Sequence, residues 1–318
     1  MVRIFYIKKQ GGFVWEKNPK ALYPADCERM IWVDLQSSEE DERKEVEKTF
    51  GIELFTPQEA AEIESSSRYF EDDEHIEANN AFIVYDNKAY TTEQVSFILK
   101  KDILYTLRNA DIKSFAETVR KLKVHRNPIS LKGTHILLTI LESQIDLDAD
   151  FIEYVTKLTN SISKDLIKEK SYKEEVLLKL TELQENTILA RGSVVDKQRL
   201  SSSLLKSDDI VEADKERLRI IVRDVNSLLQ HTQFSFERLE YLQNTFLGLV
   251  NIEQNTVIKI FTVVTVVFMP PTLIASIYGM NFNRMPELQW GFGYPFAIFL
   301  MIASSLLFLW YFKRKKWL

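Results

Sequence analysis

Tyr278-Gly279-Met280-Asn281-Phe282 closes one apolar segment of membrane-spanning length and opens a short loop that leads into a second. Ile260 to Tyr278 carries no formal charge, and neither does Phe292 to Phe312. Each approaches the twenty or so residues that a hydrocarbon layer ~30 Å thick requires. Between Ile260 and Phe312 the only formal charges are Arg284 and Glu287, both in the connecting loop. The end of the chain therefore reads as two crossings joined by a brief outside turn. What precedes it reads as soluble and highly charged.

The second crossing ends in Lys313-Arg314-Lys315-Lys316, which the positive-inside bias places in the cytoplasm, with the amino terminus on the same side. As a bare stop-transfer anchor this cluster needs no further role. Trp310, Tyr311 and Trp317 suit the aromatic belt at the interface. Pro270 and Pro271 lie inside the first crossing. Each removes a backbone donor and frees a carbonyl one turn back, which hydrocarbon tolerates only where a neighbour re-satisfies it. That favours a helix packed in a bundle.

Read in sevens, the first crossing shows one seam at Asn255, Thr262, Met269 and Ser276, and a companion at Ile258, Thr265, Thr272 and Gly279. Every hydroxyl between Ile260 and Ile277 falls on one of these lines. Polar side chains in a membrane face protein or water, so the seam faces inward. Small and hydroxyl residues serve close helix packing as well as a wet pore, and the pattern fits both.

The 318 residues carry 41 Lys and Arg against 46 Asp and Glu, a net charge of −5, which argues against a nucleic-acid partner. Cys27 is the single cysteine, so no intramolecular disulfide forms, as suits a reducing cytosol. The opening Met1 to Gln10 lacks a secretory apolar core and reads as a first strand. No phosphate-cradling glycine loop, zinc-ligand Cys pair or His-Glu-x-x-His is present, and His75, His125, His135 and His231 are scattered. An enzyme has little to stand on here. Glu71-Asp72-Asp73-Glu74 could attract cations but reads more simply as a solvated turn.

The soluble part reads as α+β, a mixed sheet with helices. Ile4–Ile7, Phe13–Glu16, Met30–Leu35, Ile76–Tyr85, Gln94–Lys100 and Leu104–Arg108 have strand character, with polar turns at Asp86-Asn87 and Lys101-Asp102. Ser37 to Glu40 opens a charged helix that Gly51 ends, and Thr56-Pro57-Gln58-Glu59 starts another. Residues 112 to about 206 turn helical. From Asp208 to Met269 there is no proline and one glycine, Gly248. Leu218, Ile221, Val225, Leu228, Thr232, Phe236, Leu239, Leu242, Phe246 and Leu249 keep one face apolar. This predicts a single helix, on the order of 100 Å long, running into the first crossing as a lever or a coiled-coil stalk. The expected divisions are 1–206 (cytosolic domain), 207–257 (stalk), 258–278 (first crossing), 279–291 (external loop), 292–312 (second crossing) and 313–318 (basic tail).

Gly279-Met280-Asn281 resembles the signature of the CorA-type magnesium channels. Asn251 to Asn255, Ile258-Lys259-Ile260, Met269 to Leu273, Met285-Pro286-Glu287-Leu288 and Tyr311 to Leu318 are similar to that family too, as are Ser67 to Glu71 and Glu93 to Ser96. The resemblance implies a homopentamer in the inner (plasma) membrane that conducts Mg2+, with Co2+ and Ni2+, and needs no cofactor. Five copies of the long helix would line one pore, with Asn255, Ile258, Thr262, Thr265, Met269, Thr272 and Ser276 facing it. Gly279, Met280 and Asn281 would form the outer filter, and Asp86 and Asp224 a cytosolic magnesium sensor shared between subunits. Two alternatives stand beside it: a zinc transporter of the related Gly-Met-Asn branch, and a non-conducting two-helix sensor.

Overall fold

The computed structural model describes residues 1–9, 12–17, 27–56, 59, 68–86, 89–125, 128–169, 173–281 and 285–315. Expectations that rest on Pro57, Gln58, Ser67, Asn87, Phe282, Arg284 or residues 316–318 lie outside these. Among the described residues there are seven strands: β1 Val2–Lys8, β2 Phe13–Glu16, β3 Cys27–Gln36, β4 Tyr69–Glu71, β5 His75–Asp86, β6 Ala89–Lys100 and β7 Ile103–Arg108. The described helices are α1 Glu40–Phe50, α2 Lys113–Lys123, α3 Gly133–Glu169, α4 Glu174–Lys206, α5 Glu212–Tyr278 and α6 Gly293–Arg314. Contacts divide the chain into two units, Met1–Leu242 and Gln243–Leu318, so the first half of α5 belongs with the sheet.

In the first unit the strands form one mixed sheet in the order β2-β1-β3-β7-β6-β5-β4. Every pairing is antiparallel except β3 with β7. Lys101 and Asp102 both take positive φ, 49° and 65°, between the paired Lys100 and Ile103. Two left-handed residues match the twist of the strands they join, which makes β6 and β7 a tight hairpin. Gly51, at φ 62°, ends α1 in the left-handed conformation expected of a helix stop. Thr56 and Glu59 exchange bonds: the Thr56 N–H donates to Glu59 Oε2 (2.8 Å) and the Glu59 N–H to Thr56 Oγ1 (3.3 Å). That reciprocal pair is the cap which the sequence suggested there.

Both faces of the sheet are covered, so β1 and β3 read as continuous apolar runs. On one face Ile4, Tyr6, Val33, Leu35, Tyr105 and Leu107 pack with Val46 of α1. On the other, Phe5 stacks on Trp32 with centroids 4.4 Å apart, and Phe115 of α2 meets Trp32 at 5.9 Å.

Two ion pairs lie inside this core. Asp34 on β3 and Arg108 on β7 are both fully buried, with Arg108 Nη2 3.1 Å from Asp34 Oδ2 and Nε 3.2 Å from Oδ1. Thr106 Oγ1 donates to Asp34 Oδ1 (2.8 Å) and accepts from Trp32 Nε1 (3.0 Å). Asp148 on α3 pairs with Lys197 on α4 at 3.0 Å, and Lys197 Nζ also donates to Ala81 O of β5 (3.0 Å). Burial pushes the Lys197 ammonium below its usual range, and Asp148 opposes the shift. Each pair fixes one docking geometry, because sliding either element would strand a charge in the core.

The first half of α5 lies on the α3–α4 pair, with Leu218, Ile221, Val225, Leu239 and Leu242 buried. Arg217 forks onto Glu142, Nη2 to Oε2 at 2.8 Å and Nε to Oε1 at 3.1 Å, and Nη1 donates to His135 Nδ1 (2.9 Å). His125, just after α2, meets His135 of α3 edge-on at 5.1 Å.

Burial, then the Arg217 and His125 charges, lower the pKa of His135 from 6.5 to about 4, with Glu142 opposing. The folded value lies below the unfolded one, so between these two pH values the unfolded chain holds the proton more often. Stability from this group is complete above about pH 6.5 and is lost as pH falls toward 4. The full depression corresponds to about 3 kcal/mol, and screening at this partly buried site reduces it to about 1 kcal/mol. Melting of the whole protein in detergent, compared between pH 7 and 4.5, should show His135→Gln losing about 1 kcal/mol less than the unsubstituted chain.

Candidate functional site

The second unit is built from the latter half of α5 and from α6. Both are long and apolar enough to cross a membrane. They expose Ile260, Phe261, Phe268, Leu273, Phe299 and Leu306 to the surroundings, a surface that only lipid or further protein can cover. One stripe is an exception. Val263 and Val267 of α5 bury against Phe312 of α6, with Val266 and Phe308 packed around them. At ~100° per residue this stripe continues through Pro270, Pro271 and Ile274, which are half-buried.

The hydroxyl seam lies elsewhere. Asn255, Ile258, Thr262, Thr265, Met269, Thr272 and Ser276 are all exposed in the single chain. They fall roughly 150° around the helix from the stripe that meets α6. Each membrane threonine donates its hydroxyl hydrogen to its own helix, four residues back: Thr262 to Ile258 O (2.8 Å), Thr265 to Phe261 O (2.9 Å) and Thr272 to Phe268 O (2.7 Å). The donors are thus used locally, and each Oγ1 keeps lone pairs that point off the helix. A row of acceptors suits a guest that donates hydrogen bonds.

Helix α5 continues through both prolines. Pro271 has no N–H for the Val267 carbonyl, and Ser305 Oγ of α6 donates to that carbonyl at 3.3 Å. For the Pro271 break, the re-satisfying neighbour that the sequence demanded therefore comes from the same chain. Sequence reasoning passed over Ser305, although a serine mid-crossing in a chain with paired prolines was the signal.

Gly279 follows the last turn of α5, where its N–H donates to Ala275 O (2.9 Å). A β-carbon there would approach Ala275 O to 3.1 Å, so the absence of a side chain relieves a crowded helix end. The Met280 N–H donates to Ile277 O (3.3 Å), and Asn281 follows in irregular, exposed backbone. The short 3-10 turn Pro286–Gln289 then leads to α6. At Gly293 a β-carbon would lie 2.3 Å from Glu287 O, so only glycine lets the loop close onto the start of the second crossing. Glu287 sits half-buried within that turn.

The remaining candidates lie in the first unit. Asp86 is exposed at the end of β5, and exposed Asp224 lies beside Arg223, with Nε to Oδ1 at 3.4 Å. Among the described residues no three carboxylate, imidazole or thiol groups gather as metal ligands. The acidic run is a tightened turn: Asp72 Oδ1 accepts the N–H groups of Glu74 and His75, both at 2.8 Å, which hold its carboxyl below the usual range.

Two helices long and apolar enough to cross a membrane, in a chain that also folds a mixed-sheet unit, are the features of a two-span membrane protein. The family described as CorA-like Mg2+ transporter protein matches residues 28–314. The chain is 39% identical to the magnesium transport protein CorA of Wolinella succinogenes over 324 residues, covering all of both chains. It is 37% identical to the Escherichia coli K12 protein of the same name over 291 residues, 91% of this chain and 92% of that one. Its fold matches the complete structure of the CorA magnesium transporter from Methanocaldococcus jannaschii with a TM-score of 0.82 at 20% identity, over 100% of this chain and 99% of that one. This chain belongs to the CorA family of Mg2+ transporters.

The two faces of α5 separate by cysteine scanning in membranes. Cysteine at Thr265 or Thr272 should react with a water-soluble thiol reagent, whereas cysteine at Val263 or Val267, packed against α6, should stay protected.

Proposed function

We propose that the chain is one subunit of a homopentameric channel that admits Mg2+, and with it Co2+ and Ni2+, across the inner (plasma) membrane. The observation that carries this reading is the seam of spent donors and open acceptors on the side of α5 away from α6. In lipid such a seam would be wasted; around a shared axis it lines a wet path. Mg2+ holds its water tightly and gives up that shell reluctantly. Coordinated water is a hydrogen-bond donor, so oxygen acceptors can guide the hydrated ion without stripping it.

Asn281, at the outer end of the pore helix, sets a ring of amide oxygens at the mouth, with Gly279 relieving the helix end and Met280 holding the loop. Below it the ion passes Ser276, Thr272, Met269, Thr265, Thr262, Ile258 and Asn255. Met269 and Ile258 are the apolar positions on this line, suited to constrictions that close by dewetting. Both termini lie in the cytoplasm, with residues 1–206 and the stalk at 207–257 on that side. Asp86 of one subunit and Asp224 of the next share a regulatory Mg2+ that favours the closed state, a coupling between two sites in the sense of linkage.

Replacing Asn281 with Ala should cut Mg2+ uptake into liposomes by about tenfold or more while the assembly elutes unchanged. Unaltered uptake would remove the filter role, zinc-preferring uptake would favour the related zinc branch, and no flux at all would favour a non-conducting sensor.

A further inference from the structure

Ser304 and Ser305 stand side by side on the second crossing, and their hydroxyls are used differently. Ser304 Oγ donates to Met301 O of its own helix at 2.8 Å. Ser305 Oγ crosses to the other helix and donates to Val267 O at 3.3 Å. In an uninterrupted α-helix that carbonyl would accept the N–H of residue 271, which here is proline. No water is available in hydrocarbon to take its place.

Apolar contacts also join the two crossings: Val263, Val267 and Phe312, with Val266 and Phe308 around them. Packing of this kind is non-directional and tolerates a small rotation or slide of one helix on the other. A hydrogen bond to one particular carbonyl does not. It also acts at a telling level, between the turn that carries Thr265 and the turn that carries Met269 and Thr272.

We infer that Ser305 is a positioning residue of the conduction pathway: its hydroxyl stands in for the missing Pro271 N–H and fixes the rotation at which the pore helix presents its threonine–methionine seam. This rests on the channel reading above for its functional consequence, though not for the bond itself.

The test is a double-mutant cycle on the full-length protein in liposomes, read by Mg2+ flux against cytosolic Mg2+ and by thermal melting. Ser305→Ala should move the Mg2+ concentration for half-maximal flux about fivefold, the equivalent of one hydrogen bond of about 1 kcal/mol. Ser305→Thr should restore it, and Ser304→Ala should leave it in place. In a Pro271→Ala background, where the backbone donor returns, Ser305→Ala should have no effect on flux or melting. If the Ala variant fails to assemble, Ser305→Cys, a weaker donor of similar size, should give a smaller shift that Pro271→Ala again cancels.

An effect of Ser305→Ala that is nil, or equal with and without Pro271, would overturn the inference, as would equal damage from Ser304→Ala. Should the unsubstituted protein pass no ions, the channel reading fails by itself. The melting cycle then still decides whether Ser305 answers the proline break.

Discussion

Hydrocarbon offers the polypeptide no hydrogen-bonding partner, and the second unit is organised around that fact. Pro271 in the first crossing leaves the Val267 carbonyl without its helical donor at membrane depth, and Ser305 answers that carbonyl from the second crossing. The membrane threonines obey the same rule by returning their hydroxyl hydrogens to their own helix. There remains a row of oxygen acceptors on the exposed side of α5, turned away from α6. The membrane constraint thus separates two faces of one helix, one dry against α6 and one suited to water.

The first unit solves a related problem by different means. There the polar groups withdrawn from water include charges, paired as Asp34 with Arg108 and Asp148 with Lys197. Such pairs add little net stability over well-packed apolar residues, because desolvation offsets attraction. Their effect is on register. Asp34 and Arg108 join β3 to β7, the one parallel pairing among the described strands, where loop geometry cannot set the alignment as a hairpin does. Lys197 reaches both Asp148 and the Ala81 carbonyl, so two helices and a strand share one anchor.

Much of this was legible in the chain. The strand runs at Ile4–Ile7, Phe13–Glu16 and Leu104–Arg108 sit inside the observed strands, since β-branched and aromatic clusters between polar turns have few other readings. The helix stop at Gly51 and the two-residue turn at Lys101-Asp102 were local signals and appear where expected. Strand β4 was not foreseen, because three residues give no periodicity. The acidic run at 71–74 resolved to a turn through Asp72, a choice between two readings that composition left open. Gly293 carried no visible mark, since its requirement comes from the Glu287 carbonyl folding back onto it.

The amino-acid order by itself determined that two uncharged segments must cross a membrane, that the hydroxyls of the first lie on two adjacent lines, and that the paired prolines need an outside donor. These follow from composition and helical period, which are properties of one segment at a time. Only the tertiary structure decided which face of the first crossing meets the second, which serine supplies the donor, and which distant charges close on each other in the core. Those choices depend on distances between segments far apart in the chain, and no local pattern encodes a distance.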